Sequence, residues 1–206
     1  RMAEPPVAPL EGDREAEICI VGGGYSGLAV ALHLVRVGAN VLLVEAERIG
    51  WGASGRGSGL VRIGLPRDQH WLENELGLAE AIALWRLCLD ARAHLDWLIS
   101  RYDIACELHP GHLRVDRSRA DFEESQRHVA LLQDRYAYPH LRIVERDELA
   151  SLVGGKGLRG GVIDMRGGHL HPLNLALGLA AAAHAEGALL CDRTAATGVA
   201  RGGGRW

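Results

Sequence analysis

Gly22, Gly24 and Gly27 stand at the spacing G-x-G-x-x-G, and Glu45 follows 18 residues after the last of them. Each of these residue types has a physical job. Gly22 permits a tight turn, Gly24 lets a pyrophosphate approach the backbone, and Gly27 lets a helix pack closely on a strand. The helix that starts here presents free N–H groups and partial positive charge to phosphates. Glu45 can accept hydrogen bonds from a ribose diol and would repel a 2′-phosphate. The glycine spacing alone is a weak signal, because 27 of the 206 residues are glycine. The elements around it make it strong. Ile18–Val21 is a short apolar run suited to a buried parallel strand, with Cys19 in its core. Leu28–Val37 is apolar and helix-compatible, with Gly38 placed to close the helix. Val41–Val44 reads as a second buried strand, with Glu45 at its carboxyl end. The competing reading is a ligand-free glycine turn. The pattern points instead to a dinucleotide site.

A second glycine-rich stretch, Gly50-Trp51-Gly52-Ala53-Ser54-Gly55-Arg56-Gly57-Ser58-Gly59, follows at once. It is short and carries Trp51 and Arg56, so it reads as a ligand loop rather than a disordered linker. Arg56 suits either negative charge on a ligand or a loop salt bridge. His169 and His171 share one face if they lie in a strand, and Asp164 is near in sequence. No ligand cluster of suitable spacing accompanies them, so no metal site is assigned. Pro172 favours the alternative, in which the histidines shape a turn before a helix. A role for His171 beside a ligand is a further reading.

The elements that must position these residues follow from pattern. Leu76–Tyr102 has apolar residues close to a 3.6 period and reads as a long helix. Ile104–Val115 reads as strand broken at Pro110-Gly111, Arg119–Tyr138 as a polar helix, and Leu141–Val144 as a strand. Asp147–Val153 is a helical turn, and Gly160–Met165 a strand. Leu173–Glu186 is an alanine-rich helix ended by Gly187. Ala188–Cys191 and Ala196–Ala200 are read as strands, and Gly202-Gly203-Gly204 as a turn.

Bulk properties exclude several classes. Nearly half the residues, 48%, are hydrophobic, enough for a real core. A net charge of −3 gives no basis for a nucleic-acid partner or an anionic membrane. No apolar run is long enough to span a bilayer. Arg1–Glu15 lacks the basic-then-apolar order of a secretory signal and reads as a flexible arm. The four cysteines are widely spaced with no C-x-x-C, as expected of thiols in a reducing, cytoplasmic setting. Three strands, 17–21, 41–45 and 188–192, are candidates for the dinucleotide sheet, all on one side of the glycine turn. Such a sheet needs strands on both sides. The first residue is Arg1 and the last Trp206, so the chain reads as incomplete, with its carboxyl half missing.

With these residues in hand, the chain resembles the D-amino-acid oxidase superfamily of FAD-dependent oxidoreductases. Within it the pattern is nearest to the gamma-glutamylputrescine oxidoreductase group, amino-terminal part. The stretches that carry the likeness are Pro9–Asp13, Val21–Leu28, Glu45–Arg56, Gly167–Pro172 and Leu177–Leu179. W-G-A-S-G-R together with G-G-H-L-H-P is more specific than the nucleotide motif. The loop departs from the group in reading Arg56-Gly57-Ser58-Gly59 where Arg-Asn-Gly-Gly is usual, and Leu158 stands where an aromatic residue is common.

The resemblance implies an α/β fold: an incomplete FAD/NAD(P)-binding Rossmann-like domain with an inserted α+β substrate-domain portion. Residues 1–15 are the arm and 16–75 the first FAD-binding segment. Residues 76–165 are the inserted portion, and 166–206 the second FAD-binding segment. The resemblance implies FAD rather than NAD. It places FAD contacts at Gly22, Gly24, Tyr25, Ser26, Gly27, Glu45, Ala46, Arg48, Ala53, Ser54, Gly55, Arg56, Gly57, Ser58, Gly59 and Ala196, the last beside the adenine. The implied reaction is oxidation of the C–N bond of a polyamine or amino-acid-like amine by hydride transfer to flavin. The cofactor performs the electron chemistry, so no catalytic acid–base residue is demanded and none is assigned. Two alternatives are a catalytically silent nucleotide-binding fragment that needs a partner chain and, less favoured, a NAD-dependent dehydrogenase.

Overall fold

The computed structural model describes residues 5–202; Arg1, Gly203, Gly204 and Trp206, on which the readings of the chain's ends and of the last turn partly rest, lie outside them. The chain divides into two compact units. The first takes the residues through Gly59, Leu98–Glu107, and His171 onward. The second takes Leu60–Trp97 and Leu108–Leu170.

The first unit is built on a parallel sheet of β1 (Ile18–Val21), β2 (Val41–Val44) and β7 (Leu189–Cys191), in the order β1-β2-β7. Ile18 pairs with Val41, and Leu42 with Leu189, which fixes the register. β2 is the central strand and all four of its residues are buried. Side chains alternate across a sheet. Ile20, Leu43 and Leu190 therefore share the face against which α1 (Tyr25–Arg36) and α7 (Pro172–Ala185) pack. Leu28, Ala31 and Leu32 of α1 are fully buried. On the other face Leu42, Val44 and Cys191 are covered by Leu10 and Ala16. Residues ahead of β1 are tied down there: Ala8 bridges Cys191, and the Leu10 N–H donates to Thr194 Oγ1 at 2.9 Å.

Two expectations change in this unit. Cys19 is exposed rather than buried, and Val21 beside it is 64% exposed. Both sit on β1, an edge strand among the described residues, on the face whose cover stops at β2 and β7. Residues 196–200 form no strand. The chain leaves β7 through Asp192 and Arg193, whose φ of 48° turns it away, and a strand without a partner is not stable alone. The 41–44 and 189–191 strands match their expected positions.

The second unit holds an antiparallel sheet centred on β6 (Gly160–His169). β4 (His109–Asp116) runs along one edge of β6. β5 (Leu141–Glu145) and then the two-residue β3 (Leu60–Val61) share the other. β6 is longer than its expected 160–165 span because it continues through Gly167-Gly168. A Cβ on Gly168 would lie 2.2 Å from the His109 carbonyl oxygen, so glycine here serves close strand pairing rather than a turn. Opposite Gly111 the register shifts and β6 bulges over 165–167. On one face of the sheet Val162 joins a core with Trp85, Val129, Leu132, Tyr136, Tyr138 and Leu141. That core draws on the long helix α4 (Leu78–Arg101) and on α5 (Arg119–Tyr136). α5 starts with a capping box between Ser118 and Asp121. α6 (Arg146–Leu152) matches the expected helical turn. α3 (Gln69–Leu76), capped by Asp68, was not legible in the sequence.

Candidate dinucleotide site

The glycine turn joins β1 to α1. Gly22 takes φ +109°, a left-handed backbone that glycine adopts without strain, and its N–H donates to the Val44 carbonyl at 2.8 Å. A Cβ on Gly27 would stand 2.0 Å from the Gly22 carbonyl oxygen, so only glycine lets α1 sit this close to the turn. Gly24 is the N-cap of α1 and offers no side chain to cap it. The first N–H groups of a helix have no acceptor inside it. The Tyr25 N–H is taken by Ser54 Oγ at 3.0 Å. Those of Ser26 and Gly27 follow it in the same turn and give the helix end its capacity for anions.

Glu45 stands at the carboxyl end of β2, half-buried. One of its carboxylate oxygens accepts from the Gly23 N–H at 2.6 Å and the other from the Glu47 N–H at 2.9 Å. Its own main chain is held on both sides: the N–H donates to Cys191 and the carbonyl accepts from Thr194. No ion pair to a cation engages Glu45 among the described residues. A fixed carboxylate with spare lone pairs and no neutralising partner suits hydroxyl donors. Ala46 and Arg48 lie in the exposed turn just after it, and the Ile49 side chain packs against Gly23.

The second glycine stretch folds as a turn and one helical turn, α2 (Ala53–Arg56). It repeats the build of the first. Gly50 has φ +73°, and a Cβ on Gly55 would stand 2.2 Å from the Gly50 carbonyl oxygen. The two turns are joined directly. The Gly50 N–H donates to the Gly23 carbonyl at 2.9 Å, and Ser54 caps Tyr25. The matching spacing of five residues, Gly22 to Gly27 and Gly50 to Gly55, is the signal that would have revealed this pairing in the sequence. Gly57, Ser58 and Gly59 continue beyond α2 as exposed chain or nearly so. The Arg56 guanidinium lies 4.2 Å from the Trp51 ring centroid, a cation–π contact, and no salt bridge engages it among the described residues. Arg48, Trp51, Arg56, Leu173 and Asp192 line a cavity of about 260 Å3 behind this turn.

α7 closes the arrangement. Its N-cap is His171, whose Nδ1 accepts from the Asn174 N–H at 3.2 Å, and Pro172 occupies the first helical position. This matches the turn-shaping reading of His171. His169 is the last residue of β6, paired with His109. Among the described residues no group of three His, Cys, Asp or Glu side chains could hold a metal. The Tyr25 hydroxyl donates to the Pro172 carbonyl at 2.8 Å. Burial, and then the nearby Cys106, push the Tyr25 phenol up to about 12, so it remains a neutral donor. Sequence reasoning missed this anchor, since nothing in the spacing of Tyr25 and Pro172 announces it.

The geometry thus brings Gly22–Gly27, Glu45–Arg48 and Ala53–Gly59 into one unit. Ala196 belongs to the same unit, exposed on the strandless stretch after β7. The arrangement fits a dinucleotide: open helix N–H groups, a side-chain-free approach at Gly24, and an unneutralised carboxylate one strand away.

Comparison with known proteins agrees. Residues 17–206 match the sequence model of the family described as FAD dependent oxidoreductase. The protein named Probable oxidoreductase OrdL from Rhizobium meliloti is 36% identical over 98% of this chain and 47% of its own length. Gamma-glutamylputrescine oxidoreductase from Escherichia coli is 34% identical over 93% of this chain and 45% of its own. The chain therefore spans about half the length of these curated relatives. Among solved structures, L-amino acid deaminase from Proteus vulgaris superposes with a TM-score of 0.76 at 19% identity, over 96% of this chain and 45% of that one. Glycine oxidase from Bacillus cereus superposes with a TM-score of 0.68 at 21% identity, over 87% and 46%. These likenesses place the fold.

Proposed function

Because the chain belongs to the FAD dependent oxidoreductase family, we propose that it carries the first dinucleotide contacts of an enzyme that oxidises an amine. FAD is the cofactor of that family. The observation that carries the reading is the pairing of an open α1 N-terminus with the fixed, cation-free Glu45 carboxylate. In this reading Gly22, Gly24, Tyr25, Ser26 and Gly27 face the pyrophosphate, and Glu45 holds the adenosine ribose. Ala46 and Arg48 border the ribose, Ala53–Gly59 runs beneath the phosphates towards the flavin, and Ala196 lies by the adenine. When bound, FAD supplies a hydride acceptor for the carbon next to an amine nitrogen. The chain's own residues do the positioning. Ser54 fixes the first turn of α1, Tyr25 ties that turn to α7, and the glycines exclude side chains from the phosphate path.

A polyamine or amino-acid-like amine is the proposed substrate class. The E. coli relative, named for gamma-glutamylputrescine, supports the first. Residues 16–75 and 166–206 are proposed as two segments of the FAD-binding domain, and 76–165 as part of a substrate domain. β1 has no second neighbour among the described residues. This supports a competent enzyme in which further polypeptide pairs along β1, and a chain of 206 residues that is inactive by itself. None of the four cysteines forms a disulfide, which supports a reducing, cytoplasmic setting. No helix among the described residues is long and apolar enough to cross a membrane.

The experiment is anaerobic bleaching of the flavin in the full-length protein by polyamines, N-methyl amino acids and D-amino acids. Bleaching by one of these classes is expected. Bleaching by NADPH alone, with no response to any amine, would contradict the reading.

A further inference from the structure

His109 and His169 bring their rings together across the sheet of the second unit. His109 opens β4 and His169 ends β6, and the two are directly paired, with Leu60 of β3 on the other side of His169. Their ring centroids stand 5.4 Å apart, with the planes tilted by 34°. Both residues are exposed. Neither ring makes a hydrogen bond or an ion pair among the described residues. The backbone that carries them is fixed. Pro110 restricts His109 to extended backbone, and the close approach of Gly168 to the His109 carbonyl keeps the two strands in contact. Ahead of His169 the bulge of β6 is clamped from α4. Buried Arg92 donates to the Arg166 carbonyl and, at 2.9 Å, to the Asp96 carboxylate. The Asp164 carboxylate accepts from the Arg166 N–H at 2.9 Å. The imidazoles are free to turn, and the strands beneath them are not free to separate.

We propose that His109 and His169 together bind a divalent transition-metal ion, zinc by geometry, through one nitrogen of each ring, with water completing its coordination. A neutral imidazole offers one unprotonated nitrogen, and imidazole suits zinc, copper and nickel. A metal bonded to a nitrogen of each ring at about 2.1 Å in tetrahedral geometry holds the ring centres about 5 Å apart, against the 5.4 Å found. Only ring rotation is then needed. The χ2 angle of histidine is broadly distributed, so exposed rings aim their nitrogens at a common point at little cost. The sequence offers His169 with His171 as a pair. The fold gives His171 to the cap of α7 and gives His169 a partner on the neighbouring strand instead. Two protein ligands leave a site open to water, unlike a closed structural site of four. An ion held here clips β4 to β6.

The test uses the full-length protein, carrying no histidine tag, titrated with zinc chloride in a calorimeter against magnesium chloride as the control. Zinc should bind saturably, and magnesium, which prefers oxygen ligands, should not. His109→Gln and His169→Gln, both at exposed positions, should each weaken zinc binding about tenfold or more, because either leaves a single ligand. The melting temperature should rise with zinc more in the wild type than in either variant. His33→Gln, in the first unit, should bind zinc as the wild type does. Reaction of the imidazoles with diethyl pyrocarbonate, read by mass spectrometry, locates the site without substitution and decides if a variant does not fold. Zinc should protect His109 and His169 from the reagent. No saturation below about 1 mM zinc, binding unchanged in both variants, or zinc that leaves His109 and His169 reactive would each overturn the proposal.

Discussion

Gly27→Ala tests the glycine turn at its tightest point. The new Cβ would stand 2.0 Å from the Gly22 carbonyl oxygen, 3.2 Å from its carbon and 3.3 Å from Ile20 Cγ2. Cβ atoms essentially never come within 3.0 Å of another heavy atom, so the turn must open by about 1 Å. The obstacle is main chain, and no rotamer change can relieve it. Overpacking of this kind costs roughly 3 kcal/mol at the upper end. Alanine inside a helix recovers about 1 kcal/mol relative to glycine. The net loss is about 2 kcal/mol, or a melting temperature lower by about 4–8 °C for a domain of this size. The assay is calorimetry of the full-length protein without and with added FAD. Gly55→Ala, with 2.2 Å to the Gly50 carbonyl oxygen, should behave alike. Gly154→Ala, whose Cβ would meet nothing within 4 Å, should change stability by less than about 0.5 kcal/mol. If Gly27→Ala melts at or above the wild-type temperature, the close-approach argument is wrong.

Other outcomes follow from single residues. Glu45→Gln places an amide NH2 against one of two N–H donors and removes the charge-assisted acceptor, so FAD affinity should fall about ten- to a hundredfold in an equilibrium titration. His171→Ala removes the cap of α7 and should cost about 1 kcal/mol in denaturant unfolding. His128 has its folded pKa lowered by burial, then by Arg114. Its contribution to stability is therefore complete above the unfolded value of about 6.5 and lost as pH falls through 6.5 towards the folded pKa. The melting temperature should fall on acidification across that window, and His128→Gln should flatten the fall.

The parts of this fold that were legible in sequence are those a backbone requirement forces. Gly22, Gly27 and Glu45 could be placed because the turn, the close approach and the strand end each admit few residues. The edge position of β1 could be counted from the strands available. Burial of Cys19 could not be read, since it depends on what covers a sheet face and not on the strand's own composition. Residues 196–200 look like a strand, but pairing decides, and no partner is offered among the described residues. The run of β6 through Gly167-Gly168 was not read, because glycine serves turns and close strand pairing alike, and only the nearness of His109 shows which applies. The link from Ser54 to Tyr25 was hidden because it joins two turns 29 residues apart.

The flavin content of the full-length protein as purified tests the central claim most directly. FAD released on denaturation, read by its visible absorbance, should approach one per chain in the wild type. Gly24→Val should abolish it. The new Cβ would stand 2.9 Å from Ser54 Oγ, a side chain that can turn aside, so the fold survives while the pyrophosphate path is blocked. Normal FAD content in a folded Gly24→Val protein, or a wild type that neither carries nor takes up FAD, would contradict the account.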